Sequence, residues 1–405
     1  MQAPPPRAVP RTSYPVPRVA RGLALGALAL AVALAGCLPS SQRQNTRAMA
    51  PADSAAAALA EAVPVDTLAE AWTLPIGEAA QVPTGIAWVQ PDSAFAARLA
   101  VVDTRLGQIL TVSAGGERGP TWTLGEDRFP YLAGVAGDTV VVLSRGGPAL
   151  EWATARGVAR SVPAPEGATA AYVGGGRRVV RLGGGPSETP PALVELDARG
   201  EVTARHPLRT GWRASGFVRP WGDSLLALSG YRPVADVLPP EASGGRASGA
   251  GGRAPLDTLA FRGFVSPQLV RSYQFMIGEV DEPPLLSPAA QALGDRLYVL
   301  NLRAEAIRVD VYSRAGRLVR VMETRSPTDP EGRPTTLDVY PADLAVRFGA
   351  LGEIEIAVLL RRDRGIFQGA DARVALFRAL PEAPAPEASG GGNGAAPADS
   401  AGRAR

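Results

Sequence analysis

Three features of this 405-residue chain predict an all-β fold: short apolar strand patterns recurring about every 40 to 50 residues, Gly-Asp turn signals ahead of several of them, and a further strand with a glycine turn behind most. Repeats of this length and turn chemistry describe a six-bladed β-propeller with four-stranded antiparallel blades.

The recurrent strands are LAVVD (Leu99 to Asp103), VVVLS (Val140 to Ser144), VVRLG (Val179 to Gly183), LLALS (Leu225 to Ser229), LYVLN (Leu297 to Asn301) and IAVLL (Ile356 to Leu360), at offsets of 41, 39, 46, 72 and 59 residues. The longest offset contains the low-complexity stretch PPEASGGRASGAGGRAP, residues 239–255, between two strand patterns, so it reads as a surface insertion. Gly137-Asp138, Gly222-Asp223 and Gly294-Asp295 favour tight turns between antiparallel strands. Behind the repeated strands come QILTVSAGG, ALEWATARG, ALVELDARG and AIRVDVYSRAG, which complete a unit of about four strands. Six units follow, over residues 80–127, 128–164, 165–207, 208–266, 284–326 and 335–380. AEAWTLPI, residues 69–76, supplies an outer strand to the last unit and closes the ring, which hides an edge. SPQLVRSYQFMIGEV, residues 266–280, leaves a seventh blade open, and a β-sandwich is the rival that explains the recurrence less well.

The 46 glycines and 38 prolines fit a turn-rich chain, and the single cysteine excludes an intramolecular disulfide. Arg7, Arg11, Arg18 and Arg21 precede an uncharged Leu/Ala/Val/Gly run, which ends in small residues. That order describes a signal peptide over residues 1–36. A transmembrane reading is close, but the run is Ala- and Gly-rich and short of the roughly 20 residues a span needs. Removing those four arginines takes 42 basic side chains to 38 against 39 acidic, turning +3 into −1. The basic balance therefore belongs to the leader, and no nucleic-acid partner is expected. Residues 37–65 read as a flexible tether in which SAAAALAEA forms a helical turn or two, and residues 381–405 as a disordered tail.

Leu34-Ala35-Gly36-Cys37 resembles the bacterial lipoprotein signal box. The resemblance implies lipidation of Cys37 and a membrane partner through the N-terminal lipid. With Leu38 next, it also implies outer-membrane sorting within the cell envelope. Several acyl chains anchor durably where one is marginal. Pro83-Thr84-Gly85-Ile86-Ala87, with LAVVD, QILTV and Gly115-Gly116, resembles an NHL-type propeller repeat, and LYVLNLRAEAIRVDVYSRAG is similar to its second half. The likeness is confined to those two units.

Asp103, Ser144, Ser229 and Asn301 end four of the repeated strands, and Arg105, Arg145 and Arg303 follow in the adjoining turns, with Arg181 inside the third strand. These eight are the ligand-binding candidates: polar groups converging on one mouth of the ring, with a cationic set suited to a carboxylate, phosphate or acidic sugar. The simpler alternative is that Asp, Asn and Ser accept backbone hydrogen bonds at strand ends while the arginines are solvated. Metal-dependent lactonases and similar six-bladed enzymes hold calcium through converging acidic and amide groups. Asp103 and Asn301 suit calcium, but Ser144, Gly183, Ser229 and Leu360 at the matching positions make a poor oxygen shell. No other cofactor is expected. No catalytic residue is named: His206, the sole histidine, reads as a turn residue before Pro207, and no Gly-x-Ser-x-Gly elbow occurs. The glycine runs at 174–176 and 183–185 lack a following Gly-Lys-Ser/Thr, and the six tryptophans read as blade packing. The expected function is an envelope-anchored binding or scaffold propeller displaying loops to a protein, peptide or glycan. The alternatives are a calcium-assisted hydrolase or lyase acting in the channel, and an envelope assembly factor.

Overall fold

The Gly-Asp pairs are the inner hairpin turns of three blades. Gly137, Gly222 and Gly294 take φ of 61°, 59° and 60°. Each opens a two-residue loop, between Ala136 and Thr139, Trp221 and Ser224, and Leu293 and Arg296. Left-handed backbone at the first loop residue gives the twist that matches paired strands, and glycine adopts it without steric cost. Gly175 and Gly176, at φ 56° and 79°, do the same between Gly174 and Arg177.

The computed structural model describes residues 54–89, 97–183, 190–208, 215–240, 256–333, 335–363 and 370–380. The expected signal peptide, Cys37, the tether up to residue 53, insertion residues 241–255 and the tail 381–405 lie outside the described residues. After a helix over residues 54–61 come β1 (Val65–Thr67) and β2 (Ala69–Pro75). Blade 1 is β3 (Pro83–Val89), β4 (Arg98–Asp103), β5 (Gln108–Ser113) and β6 (Arg118–Thr123). Blade 2 is β7 (Pro130–Ala136), β8 (Thr139–Ser144), β9 (Ala149–Thr154) and β10 (Gly157–Pro163). Blade 3 is β11 (Ala168–Gly174), β12 (Arg177–Leu182), β13 (Ala192–Leu196) and β14 (Val202–Pro207). Blade 4 is β15 (Phe217–Trp221), β16 (Ser224–Leu228), β17 (Val234–Leu238) and β18 (Asp257–Ala260). Blade 5 is β19 (Ala289–Leu293), β20 (Arg296–Asn301), β21 (Arg308–Tyr312) and β22 (Leu318–Glu323). Blade 6 is β23 (Tyr340–Phe348), β24 (Ile354–Asp363) and β25 (Ala370–Ala379), with β2 as its outer strand.

The recurrent strands of the sequence are the second strand of every blade. They are apolar on both faces because each blade is sandwiched between two others: β4 and β8 carry five consecutive buried residues each. Six apolar clusters fill six seams between adjacent blades. Ile109 and Trp122 of blade 1 meet Val140 and Val142 of blade 2, and the last seam packs Val374 and Leu376 of blade 6 on Ile86 and Val101 of blade 1. Six seams for six blades is a closed ring.

Residues 69–75 close it as expected, pairing antiparallel with β25 from Ala69↔Arg378 to Pro75↔Arg373. β1 adds a fifth, parallel strand to blade 5, Val65↔Val321, and Arg320 pairs with Asp66 there. Ala60 and Val63 pack into the seam between blades 4 and 5, so the described end of the expected tether is folded onto the ring. Residues 266–280 are no blade. They contain the helix Leu269–Met276, whose Leu269 joins the same seam and whose Ser272 hydroxyl donates to the Tyr231 carbonyl at 2.9 Å.

Candidate functional site: the central channel

The first strands of the six blades, β3, β7, β11, β15, β19 and β23, line the channel. They converge closely enough that side chains must be small in places. A Cβ on Gly134 would stand 2.2 Å from the Val173 carbonyl oxygen of blade 3, and one on Gly85 2.7 Å from the Leu132 Cβ of blade 2. Cavities lie along the channel between the strands. At the end where the second strands finish lie two adjoining ones of about 230 and 240 Å³, sharing Thr84, Gly216, Phe217, Pro288 and Ala342. Toward the opposite end, where the first and second strands join, lies another of about 210 Å³.

Arg145 sits in the turn after β8, where its N–H donates to the Arg128 carbonyl at 2.9 Å. From there its guanidinium lies 3.9 Å from the centroid of the Tyr131 ring and donates to the Thr169 carbonyl of blade 3. Arg361 and Tyr340 face each other across β23 and β24. The Arg361 Nε donates to the tyrosine hydroxyl at 2.9 Å, Nη1 donates to the Pro83 carbonyl of blade 1 at 3.2 Å, and the guanidinium lies 5.6 Å from the ring centroid. Both arginine–tyrosine pairs border the mouth. The first is a cation–π contact, and the second is a hydrogen bond at the hydroxyl edge of the ring.

Below the mouth, Arg219 of β15 reaches across toward Asp343 of β23, with Nη2 3.7 Å from Oδ1. The two charges are unequally occupied. Asp343 accepts the Ile86 N–H on Oδ2 and the Leu344 N–H on Oδ1, both at 2.9 Å. Burial still pushes its carboxyl up, against Arg219 and those two N–H groups, which pull it down. Arg219 donates only one close hydrogen bond among the described residues, to the Val218 carbonyl at 3.1 Å. Asp343 borders the mouth side, whereas Arg219 and Leu132 border both sides, so the arginine stands at the partition.

Of the eight candidates at strand ends and turns, Ser229 and Arg145 line the mouth. Asp103 is fully buried and accepts four backbone N–H groups, from Gln81 at 2.5 Å, Val82 at 3.1 Å, and Arg105 and Leu106 at 2.9 Å each. Arg105 is exposed in that turn. The Ser144 hydroxyl donates to Glu151 at 2.9 Å, and Glu151 also accepts Arg128. Asn301 donates to Asp310 at 2.6 Å and to the Val265 carbonyl at 3.0 Å, and Arg303 donates to that same carbonyl at 2.5 Å. Arg181 is fully buried beside Asp236 and donates to the Ser215 and Leu228 carbonyls. Burial holds its guanidinium down to about 9. Ser229 Oγ accepts the Tyr231 N–H at 3.4 Å.

A calcium shell does not form from Asp103 and Asn301. They stand in blades 1 and 5, the aspartate oxygens already accept four N–H groups, and among the described residues no three His, Cys, Asp or Glu side chains gather to hold a metal ion. His206 lies inside β14 rather than in a turn, buried, with Nε2 2.8 Å from Glu195 Oε1. That contact and Arg177, 3.1 Å from Oε2, hold the Glu195 carboxyl below its usual range against the opposing effect of burial.

Reasoning from the sequence did not single out Arg219, Asp343, Arg361, Tyr131 or Tyr340. The available signal was a charge inside a strand of small and apolar residues, Arg219 alone in FVRPW and Asp343 with Arg347 in YPADLAVRF.

No protein-family model matches this chain, and no curated protein matches it. Solved structures do. Virginiamycin B lyase from Staphylococcus aureus is 12% identical over 76% of this chain and 99% of that one, with a TM-score of 0.43. The calcium-binding protein regucalcin from Agrobacterium tumefaciens is 12% identical over 78% and 96%, with a TM-score of 0.45. Glutaminyl cyclase from Myxococcus xanthus is 12% identical over 78% and 99%, with a TM-score of 0.35. At these values the likeness carries no functional argument, and the ring rests on its own strand pairing and seams.

Proposed function

We propose that the chain is an envelope-anchored binding propeller whose channel mouth receives the anionic part of a protein, peptide or glycan. One observation carries the reading: two blades present an arginine held by a tyrosine at the mouth, Arg145 over the Tyr131 ring and Arg361 on the Tyr340 hydroxyl. The one acidic side chain lining the mouth among the described residues, Asp343, already accepts a backbone N–H on each oxygen. A mouth lined by guanidinium groups and aromatic rings suits a carboxylate on a flat or ring-shaped body, such as an acidic peptide or a uronic acid. A closed ring fixes that geometry without catalysis.

The anchoring half of the proposal rests on Leu34-Ala35-Gly36-Cys37 at the end of the apolar run. It places the protein in the cell envelope, held to the outer membrane by lipid on Cys37. Intact mass measurement of the protein extracted from membranes tests it: a mature chain starting at Cys37 with acyl mass supports the anchor, and the same start without acyl mass removes it.

The binding half is tested by photo-cross-linking from position 231 at the mouth in intact membranes. The expected result is a discrete cross-linked partner whose yield falls severalfold in Arg145→Gln and Arg361→Gln, with melting temperatures near the parent's. A yield unchanged in both variants overturns the proposal.

A further inference from the structure

We infer that the end of the channel opposite the mouth is a separate binding site for a small carboxylate with an apolar body, its carboxylate on Arg219. The cavity there, about 210 Å³, is built by all six first strands. Its walls are mostly apolar: Trp88 of blade 1, Leu132 and Val135 of blade 2, Val173 of blade 3, Pro220 of blade 4 and Leu344 of blade 6. The Arg347 guanidinium lies over Trp88, 3.6 Å from the ring centroid, and is tied to Glu355 at 2.6 Å, so the indole is braced from one side. Drug-sized pockets hold about 300 to 1,000 Å³, so this one takes a fragment-sized molecule, about one aromatic ring and a short chain.

The cavity has one charge and no counter-charge of its own. Among its lining residues Arg219 is the only ionised side chain, and no Asp or Glu borders it. Gln291, its one side-chain amide, is already spent: Oε1 accepts the Val346 N–H at 2.9 Å and Nε2 donates to the Val346 carbonyl at 3.3 Å. The nearest carboxylate, Asp343, lies across the partition, 3.7 Å from Nη2, and holds two backbone N–H groups. The Arg219 side chain is 18% exposed, enough to meet a ligand and dry enough to favour a charged partner. An anion entering from the apolar side completes its hydrogen bonding, while the body replaces water against Trp88 and the aliphatic walls. This site uses neither Arg145 nor Arg361, which carry the mouth reading, while Arg219 borders both cavities.

The test is ligand-observed NMR and calorimetry on the full chain, using 3-phenylpropionate and its neutral isostere 3-phenylpropanamide. The carboxylate is expected to bind saturably and about 10-fold to 100-fold more tightly than the amide, the range for a hydrogen-bonded charge. In Arg219→Gln the two should bind alike, and Arg219→Lys should keep part of the preference. Arg156→Gln, in the exposed turn between β9 and β10, should leave it unchanged. Circular dichroism melting of each variant separates loss of the site from loss of the fold. Equal affinity for acid and amide in the parent, no saturable binding, or a preference that survives Arg219→Gln in a folded protein overturns the inference.

Discussion

Replacing Asp103 separates a ligand-binding aspartate from one that builds the ring. Its carboxylate collects four N–H groups from two chain segments: Gln81 and Val82, which lead from the closing strand β2 into blade 1, and Arg105 and Leu106 in the turn after β4. Charge-assisted bonds contribute about 1.5 to 3 kcal/mol each but do not add, and exposed turn N–H groups recover water. We expect Asp103→Ala to cost about 3 to 5 kcal/mol, set mainly by the two long-range donors. Asp103→Asn should cost roughly half as much, because one side-chain oxygen still accepts while the amide NH₂ meets N–H groups. At about 2 °C per kcal/mol for a domain this large, the alanine variant should melt roughly 6 to 10 °C early. Differential scanning fluorimetry and a urea titration measure both variants. An alanine variant that melts with the parent but loses binding at the mouth would refute the reasoning, since the side chain would then be functional and not architectural.

Two further outcomes follow from the blades. The Glu195 carboxyl is held low by its hydrogen bond to His206 and then by Arg177, so the stability it supplies is present above its ordinary value of 4.5 and lost as pH falls through the lower folded value. Glu195→Gln should therefore lower the urea midpoint at neutral pH by about 1 to 2 kcal/mol equivalent, with the gap to the parent closing in acid; a constant gap at every pH would count against the pairing. Gly134→Ala should cost about 1 to 3 kcal/mol in the same titration, because its methyl group would stand 2.2 Å from the Val173 carbonyl, and a neutral result would mean the inner strands are not as close as described.

The ring was legible in the sequence because its signals are local. A strand buried on both faces must be apolar throughout, so VVVLS and LYVLN stand out, and a two-residue hairpin needs left-handed backbone, so Gly137-Asp138 and Gly294-Asp295 do too. The closing strand was legible as a strand with no partner nearby. The channel was not legible in the same way. Its walls come from one strand per blade, written in small residues such as PYLAGVA and AAQAL, where packing room matters more than periodicity. Arg219 and Asp343 meet only because the ring closes, and nothing in either segment announces the other. Polar strand ends drew attention because they align between repeats, and of these Asp103, Ser144 and Asn301 have hydrogen-bond partners in and around their own blades. Burial of His206 against Glu195 escaped a reading that placed it beside Pro207 in a turn, because Pro207 ends an outer strand and gives up no ladder bond to a neighbour outside it.

The pairing of β2 with β25 joins strands roughly 300 residues apart, the most distant contact order the ring contains. Loop-closure entropy for such a span is on the order of 5 kcal/mol, due before any contact repays it. Blades 1 to 4 assemble from neighbouring segments and carry no such debt, and blade 5 builds its own meander locally before it gains β1 from roughly 250 residues away. In any process that delivers the chain from its N-terminus, β2 emerges as an unmatched strand and waits for the last blade to exist. Until then the seam between blades 6 and 1 stands open and two sheet edges are exposed to other chains. The hazard of misassembly in this protein is thus concentrated in time, in the interval before its ends meet, rather than spread along its length.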